Sequence, residues 1–158
     1  MNAESIGYRY EPIELATLLA ILRLPNPPDA PLPELTEALA QNAAEELIEA
    51  GIVLSAGEGY GVNRLNALLL SNAAHCRYHV TARAADRTVV LWRGSALFVL
   101  GEFPKSGAIT LTPIRDAAAA RRALQDALNH KDLSGHIVEP DPPMATLLQT
   151  LAEREGEL

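Results

Sequence analysis

From residue 77 onward the hydrophobic period changes from helical to alternating, and four strand candidates follow in quick succession at about 77–83, 87–93, 96–103 and 108–113. The breaks between them are short: Ala85-Asp86, Gly94-Ser95 and Pro104-Lys105-Ser106-Gly107. Connections of that length join antiparallel neighbours, because a parallel pair needs a crossover of about a dozen residues or more. A four-stranded antiparallel meander is the expectation for this half. On its first strand Tyr78, Val80 and Ala82 share one face, and Arg77, His79, Thr81 and Arg83 share the other. The runs TVVLW and ALFVL in the second and third strands are apolar on both faces, so something must cover the centre of the sheet.

Upstream the period is helical. After Pro12, the residues Ile13, Leu15, Leu18, Leu19 and Leu22 form the apolar stripe of a helix that must stop before Pro25. The stretch LPNPPDAPLP then forces an extended connector. Leu35, Ala38, Leu39, Ala43, Leu47 and Ile48 mark one long helix or two short ones; Asn42 followed by Glu45 has the spacing of a cap and a first-turn acid, which favours a break at Asn42. Gly51 suits the C-terminal end. Ile52–Ser55 and Tyr60–Val62 can pair around a glycine-rich turn, and three helices followed by a small hairpin is the winged-helix order. Arg64–Ala74 reads as a further helix burying Leu65, Leu68, Leu69 and Ala73.

After the strands, Asp116 caps a helix to about Asn129, striped by Ala117, Ala120, Leu124, Ala127 and Leu128, with His130 and Lys131 complementing its dipole. Asp141-Pro142 has the form of a last helix start, followed by Leu147, Leu148 and Leu151. The fold class is therefore α+β: a winged-helix-like helical segment over 1–74, then an antiparallel sheet with C-terminal helices over 75–158, the two forming one compact unit.

Charge is unevenly spread. Residues 1–76 carry ten acids against Arg9, Arg23 and Arg64, whereas residues 77–122 carry Arg77, Arg83, Arg87, Arg93, Lys105, Arg115, Arg121 and Arg122 against Asp86, Glu102 and Asp116. Beyond residue 122 seven acids again outnumber Lys131 and Arg154. A basic middle between acidic ends either faces those ends or presents a patch to an acidic partner. The strand face bearing Arg77, His79, Arg83, Arg87 and Arg93 is the candidate partner-binding surface, and an exposed sheet edge that accepts a partner strand is the alternative.

Other chemistries lack their residues. The would-be recognition helix NAAEELIEAG carries Glu45, Glu46 and Glu49 and no base, which phosphates would repel, so nucleic acid is not the expected partner. GEGYG at 57–61 precedes a strand instead of the helix that a phosphate loop requires. His75, Cys76 and His79 are the one cluster of metal-capable side chains; without a third ligand or a second cysteine they read as a helix-to-strand junction, and an unrecognised enzyme or metal site there is the fallback. No catalytic residue, cofactor or metal is assigned. The single cysteine, the absence of an apolar run of about 20 residues and the lack of a secretory leader pattern lead to the expectation of a cytoplasmic protein that does not insert in membranes.

The stretches IELATLLAILRLP, AAEELIEAGIV and NRLNALLL, with the strands through TLTPI, give an order of elements that resembles the ESX type VII secretion chaperones of the EspG type. The resemblance covers roughly residues 8–130, about half the length usual for that family. It implies a single half that dimerises, and an adaptor that binds a helical secreted substrate. The expected function is a non-enzymatic protein-binding module, a chaperone or adaptor; a winged-helix transcriptional regulator is the alternative.

Overall fold

The structure, a computed structural model, describes residues 7–129 and 141–156. Their elements are β1 (Tyr8–Tyr10), α1 (Pro12–Ile21), α2 (Glu37–Glu49), β2 (Val53–Ala56), β3 (Gly59–Val62), α3 (Arg64–Ala74), β4 (Tyr78–Arg83), β5 (Arg87–Arg93), β6 (Phe98–Pro104), β7 (Ile109–Ile114), α4 (Ala117–Asn129) and α5 (Met144–Glu155). The class is α+β. The meander is present as β4 to β7 and gains a fifth member, giving the order β1-β7-β6-β5-β4 with every pair antiparallel; β2 and β3 form a separate hairpin.

β1 was too short for its alternation to register in the sequence. Tyr8 pairs with Leu111 and Tyr10 with Ile109, and the buried Tyr10 hydroxyl donates to Asn66 Oδ1 on α3. That bond ties the first strand to a helix 56 residues further on.

Both faces of the sheet are covered by the chain itself. One carries Val90, Trp92, Val99, Phe103, Ile109 and Leu111 against Leu15, Leu18 and Leu19 of α1 and Leu69, Leu70 and Ala73 of α3. The opposite face sets Val80, Ala82, Val89, Leu91, Phe98, Leu100 and Ile114 against Ala120 and Leu124 of α4 and Leu147 and Leu151 of α5. This accounts for strands that are apolar on both sides, since each alternate residue meets a different helical layer. It also removes uncovered strands as a reason for self-association.

The helices correct the sequence reading in three places. α2 runs unbroken from a Thr36 cap whose hydroxyl accepts the Leu39 N–H at 3.3 Å, and Asn42 is an exposed mid-helix residue. With Ala, Leu, Gln and Glu around it, local propensity carries the helix across one asparagine. Two helices, not three, therefore precede the hairpin, and the winged-helix order is not reached. Gly51 ends α2 as expected: at φ +78° it lets its own N–H reach Ile48 and that of Ile52 reach Leu47.

α3 is rotated from its expected face. Leu65 and Leu68 are 63% and 46% exposed, while Asn66 and Asn72 are 4% and 5% exposed. Hydrogen bonds set the rotation: Asn66 accepts from Tyr10, and Asn72 Oδ1 accepts the N–H groups of Ala96 and Leu97 at 3.0 and 3.4 Å, closing the β5–β6 turn. Buried amides satisfied in this way outrank a leucine stripe. The last correction is α5, which begins at Met144 and not at Asp141-Pro142, because Asp141 pairs with the end of β4. α4 starts as read, with Asp116 Oδ1 accepting the Ala119 N–H at 2.8 Å. His130 and Lys131 lie outside the described residues.

One glycine is required by packing. A Cβ on Gly101 would lie 2.5 Å from the Trp92 ring and 2.8 Å from that of Phe103, two rings packed edge to face at 5.9 Å. Gly101→Ala is expected to lower the unfolding free energy by about 1–3 kcal/mol, the usual penalty of overpacking. Gly59→Ala, with open space around it and no positive φ, is expected to change it little. Urea titration of both variants checks this; equal midpoints would show that the Trp92 ring is not held against Gly101.

Candidate functional site

The two-residue turn Ala85-Asp86 pairs Ala84 with Arg87, whose carbonyl accepts the Ala84 N–H at 2.9 Å. Along the ladder Tyr78 lies opposite Arg93 and Val80 opposite Leu91, so even-numbered residues of β4 share a face with odd-numbered residues of β5. The five basic residues therefore do not share one face. His79, Thr81 and Arg83 lie on the side of Val90 and Trp92, whereas Arg87 and Arg93 lie on the side covered by α4 and α5.

Arg93 is built into the packing of α5. Its Nε lies 3.4 Å from Glu155 Oε1, its Nη1 donates to the Gly94 carbonyl at 3.0 Å, and its guanidinium stacks 4.7 Å from the Phe98 ring centre. Beside it, burial and then the neighbouring Glu155 push the Tyr78 hydroxyl well above its ordinary pKa, so it stays protonated. Arg87 Nε lies 3.8 Å from Asp86 Oδ1 and is mostly buried. Arg77 and Arg83 are exposed.

On the opposite face the proline-rich connector lies across the sheet. The Pro28 carbonyl accepts the Trp92 Nε1–H at 2.9 Å, and the next residue, Asp29, adopts φ +63°. Its Oδ2 accepts the Thr81 hydroxyl at 2.7 Å and lies 3.2 Å from His79 Nε2. The sequence placed Thr81 on the face of His79 but gave it no role, and Asp29 was passed over because proline density obscured a folded segment. The Thr81 bond holds the Asp29 carboxyl below the ordinary carboxylate range against the upward push of burial, and the charges of His79 and Arg83 lower it further.

β4 is an outer strand of the sheet. Since Tyr78, Val80 and Ala82 turn their backbone groups toward β5, those of His79, Thr81 and Arg83 point outward. At Arg83 both are used: its N–H donates to the Asp141 carbonyl and its carbonyl accepts the Asp141 N–H, each at 2.9 Å. Continuing that register would set Pro143 opposite Thr81. Proline has no N–H to donate, and α5 begins one residue later, so the chain leaves the edge there. Among the described residues no backbone group pairs with the outward N–H and C=O of His79 and Thr81. The result is a short open edge flanked by two exposed arginines.

At the 75–79 junction His75, Cys76 and His79 have different surroundings. His75 is the exposed C-cap of α3, the half-buried Cys76 thiol is pushed up in pKa by burial, and His79 turns to Asp29. Among the described residues no group of three or more His, Cys, Asp or Glu side chains could hold a metal ion, and no helix is long and apolar enough to cross a membrane. GEGYG is the two-residue β2–β3 turn, Gly57-Glu58, with Gly57 at φ +62°, followed by the first three residues of β3. Glu45, Glu46 and Glu49 lie exposed on α2.

The fold and the edge together define an α+β protein with both sheet faces covered and one basic edge strand partly open. No protein-family model matches the chain, and no curated protein does.

A carboxylate with a lowered folded-state pKa stabilises the fold above its unfolded pKa and loses that contribution as pH falls through the folded value. Asp29→Asn keeps an acceptor and a residue tolerant of positive φ while removing the charge. It is expected to cost about 0.5 kcal/mol at neutral pH, a small figure because exposed ion pairs are weak, and nothing well below pH ~4. Denaturant titration followed by the fluorescence of Trp92, the sole tryptophan, checks this; a difference that persists in acid would rule out the charge as its source.

Proposed function

We propose that this chain is a non-enzymatic protein-binding module, an adaptor or chaperone, that holds its partner as an added strand on the open edge of β4. The observation that carries this is that, among the described residues, the outward backbone of His79 and Thr81 has no strand partner, beside an Arg83 that already exchanges two strand-type hydrogen bonds with Asp141. Edge addition supplies affinity through main-chain bonds and selectivity through the flanking side chains. A second reading, the helical secreted substrate implied by the resemblance to ESX chaperones, rests on Leu65 and Leu68, which lie three residues apart and exposed on α3.

Thr81→Pro separates the two. Because the Thr81 N–H points away from β5, proline there removes no ladder bond but blocks an incoming strand. Thr81→Val, which loses the hydroxyl and keeps the N–H, controls for the Asp29 contact. Peptides selected on the wild-type chain from a display library of ten-residue segments are expected to bind Thr81→Pro at least about tenfold more weakly, the loss of one or two net backbone hydrogen bonds. They should bind Thr81→Val and Leu65→Asp as they bind wild type. Retained binding by Thr81→Pro, with loss in Leu65→Asp, would transfer the function to α3 and overturn strand addition.

A further inference from the structure

We infer that the segment accepted at β4 is acidic at its ends and uncharged at its centre. This rests on the strand-addition role and adds the chemistry of the partner. Three observations carry it.

The first is the position of the exposed charges. Arg77 and Arg83 bracket the open backbone groups, six positions apart in sequence, or about 20 Å along an extended strand. The two arginines of β5 do not share this edge: Arg93 is committed to Glu155, Gly94 and Phe98, and Arg87 lies on the opposite face beside Asp86. Carboxylates near either end of an added strand would lie beside or diagonal to an exposed guanidinium, within cross-strand reach.

The second is Asp29. Its carboxylate lies between the bracketing arginines, bonded to Thr81 and His79, and like any ordinary aspartate it is ionised near neutral pH. A third carboxylate opposite Thr81 or His79 would face it as a like charge. The centre of the added strand is therefore uncharged, and Thr or Val suits both the pleat and the neighbouring Thr81 hydroxyl.

The third is the end of the groove. Asp141 fills the place opposite Arg83, and the prolines after it turn the chain into α5, which packs over Val80 and Ala82 on the other face. An incoming strand would run beside residues 78–81 and stop against Asp141. The recognised segment is thus short, with its two acids about four to six residues apart.

The test uses three synthetic, dye-labelled peptides with one Thr-Val core: the first flanked by glutamates, the second by lysines, and the third a copy of the first N-methylated at alternate core residues. Binding is read by fluorescence anisotropy at low ionic strength. The glutamate peptide is expected to bind at least about tenfold more tightly than the lysine peptide, to weaken as salt rises, and to lose binding on N-methylation. Arg77→Glu combined with Arg83→Glu, two exposed side chains whose replacement leaves the β4 backbone untouched, should reverse the preference.

Equal binding of the glutamate and lysine peptides, both abolished by N-methylation and by Thr81→Pro, would overturn the acidic specificity and leave strand addition standing. Failure of every peptide to bind the wild-type chain would overturn both. A glutamate preference that survives N-methylation would also overturn the inference, since it would place the arginines in a surface attraction without a strand.

Discussion

Trp92 is the residue on which the rest of the arrangement depends. Its indole is fully buried near the middle of the sheet, its ring lies against Gly101 and edge-on to Phe103, and its one polar atom is satisfied by the carbonyl of Pro28. A buried indole N–H left without an acceptor would cost about 1–3 kcal/mol, so the connector is held where that carbonyl is needed. Asp29 follows Pro28 directly and is thereby delivered to Thr81 and His79, the latter lying opposite Trp92 across the ladder. Core packing and the electrostatics of the edge are linked through a single residue step.

The meander was legible because alternation and short turns are local properties, and the Asp116 cap and Gly51 stop were legible for the same reason. What the sequence hid was competition between local signals and distant partners. Asn42 has the spacing of a cap, and only the observed helix shows that the cap in use is Thr36, six residues earlier. Leu65 and Leu68 outweigh Asn66 and Asn72 on any hydropathy count, yet the asparagines face inward because Tyr10, Ala96 and Leu97 supply partners far away in the chain. β1 depends on the same kind of distant partner, three residues that gain strand character only beside β7.

The candidate surface shows a subtler limit. Arg77, His79, Arg83, Arg87 and Arg93 are all odd-numbered, which invites placing them on one face. A two-residue turn pairs Ala84 with Arg87, and that register sends odd residues of β4 and odd residues of β5 to opposite sides. The turn length was in the sequence, so the division between His79 and Arg83 on one side and Arg87 and Arg93 on the other was available from it. The roles of Asp29 and Asp141 were not, because both depend on where a proline-rich segment returns to the sheet.

An open edge is a hazard as well as an opportunity, since it can pair with another copy of itself. Consider two copies of β4 meeting antiparallel about Val80. That register would bring Arg77 of one toward Arg83 of the other at both ends, where Asp141 already occupies the backbone of Arg83, so steric exclusion and like charge both oppose it. The same two arginines that discourage self-pairing would attract carboxylates on a different strand. The exposed leucines of α3 offer apolar area without that repulsion. A neutral or basic edge partner would meet either no attraction or an unfavourable field, so the charge pattern that keeps β4 from its own kind also narrows what it can accept.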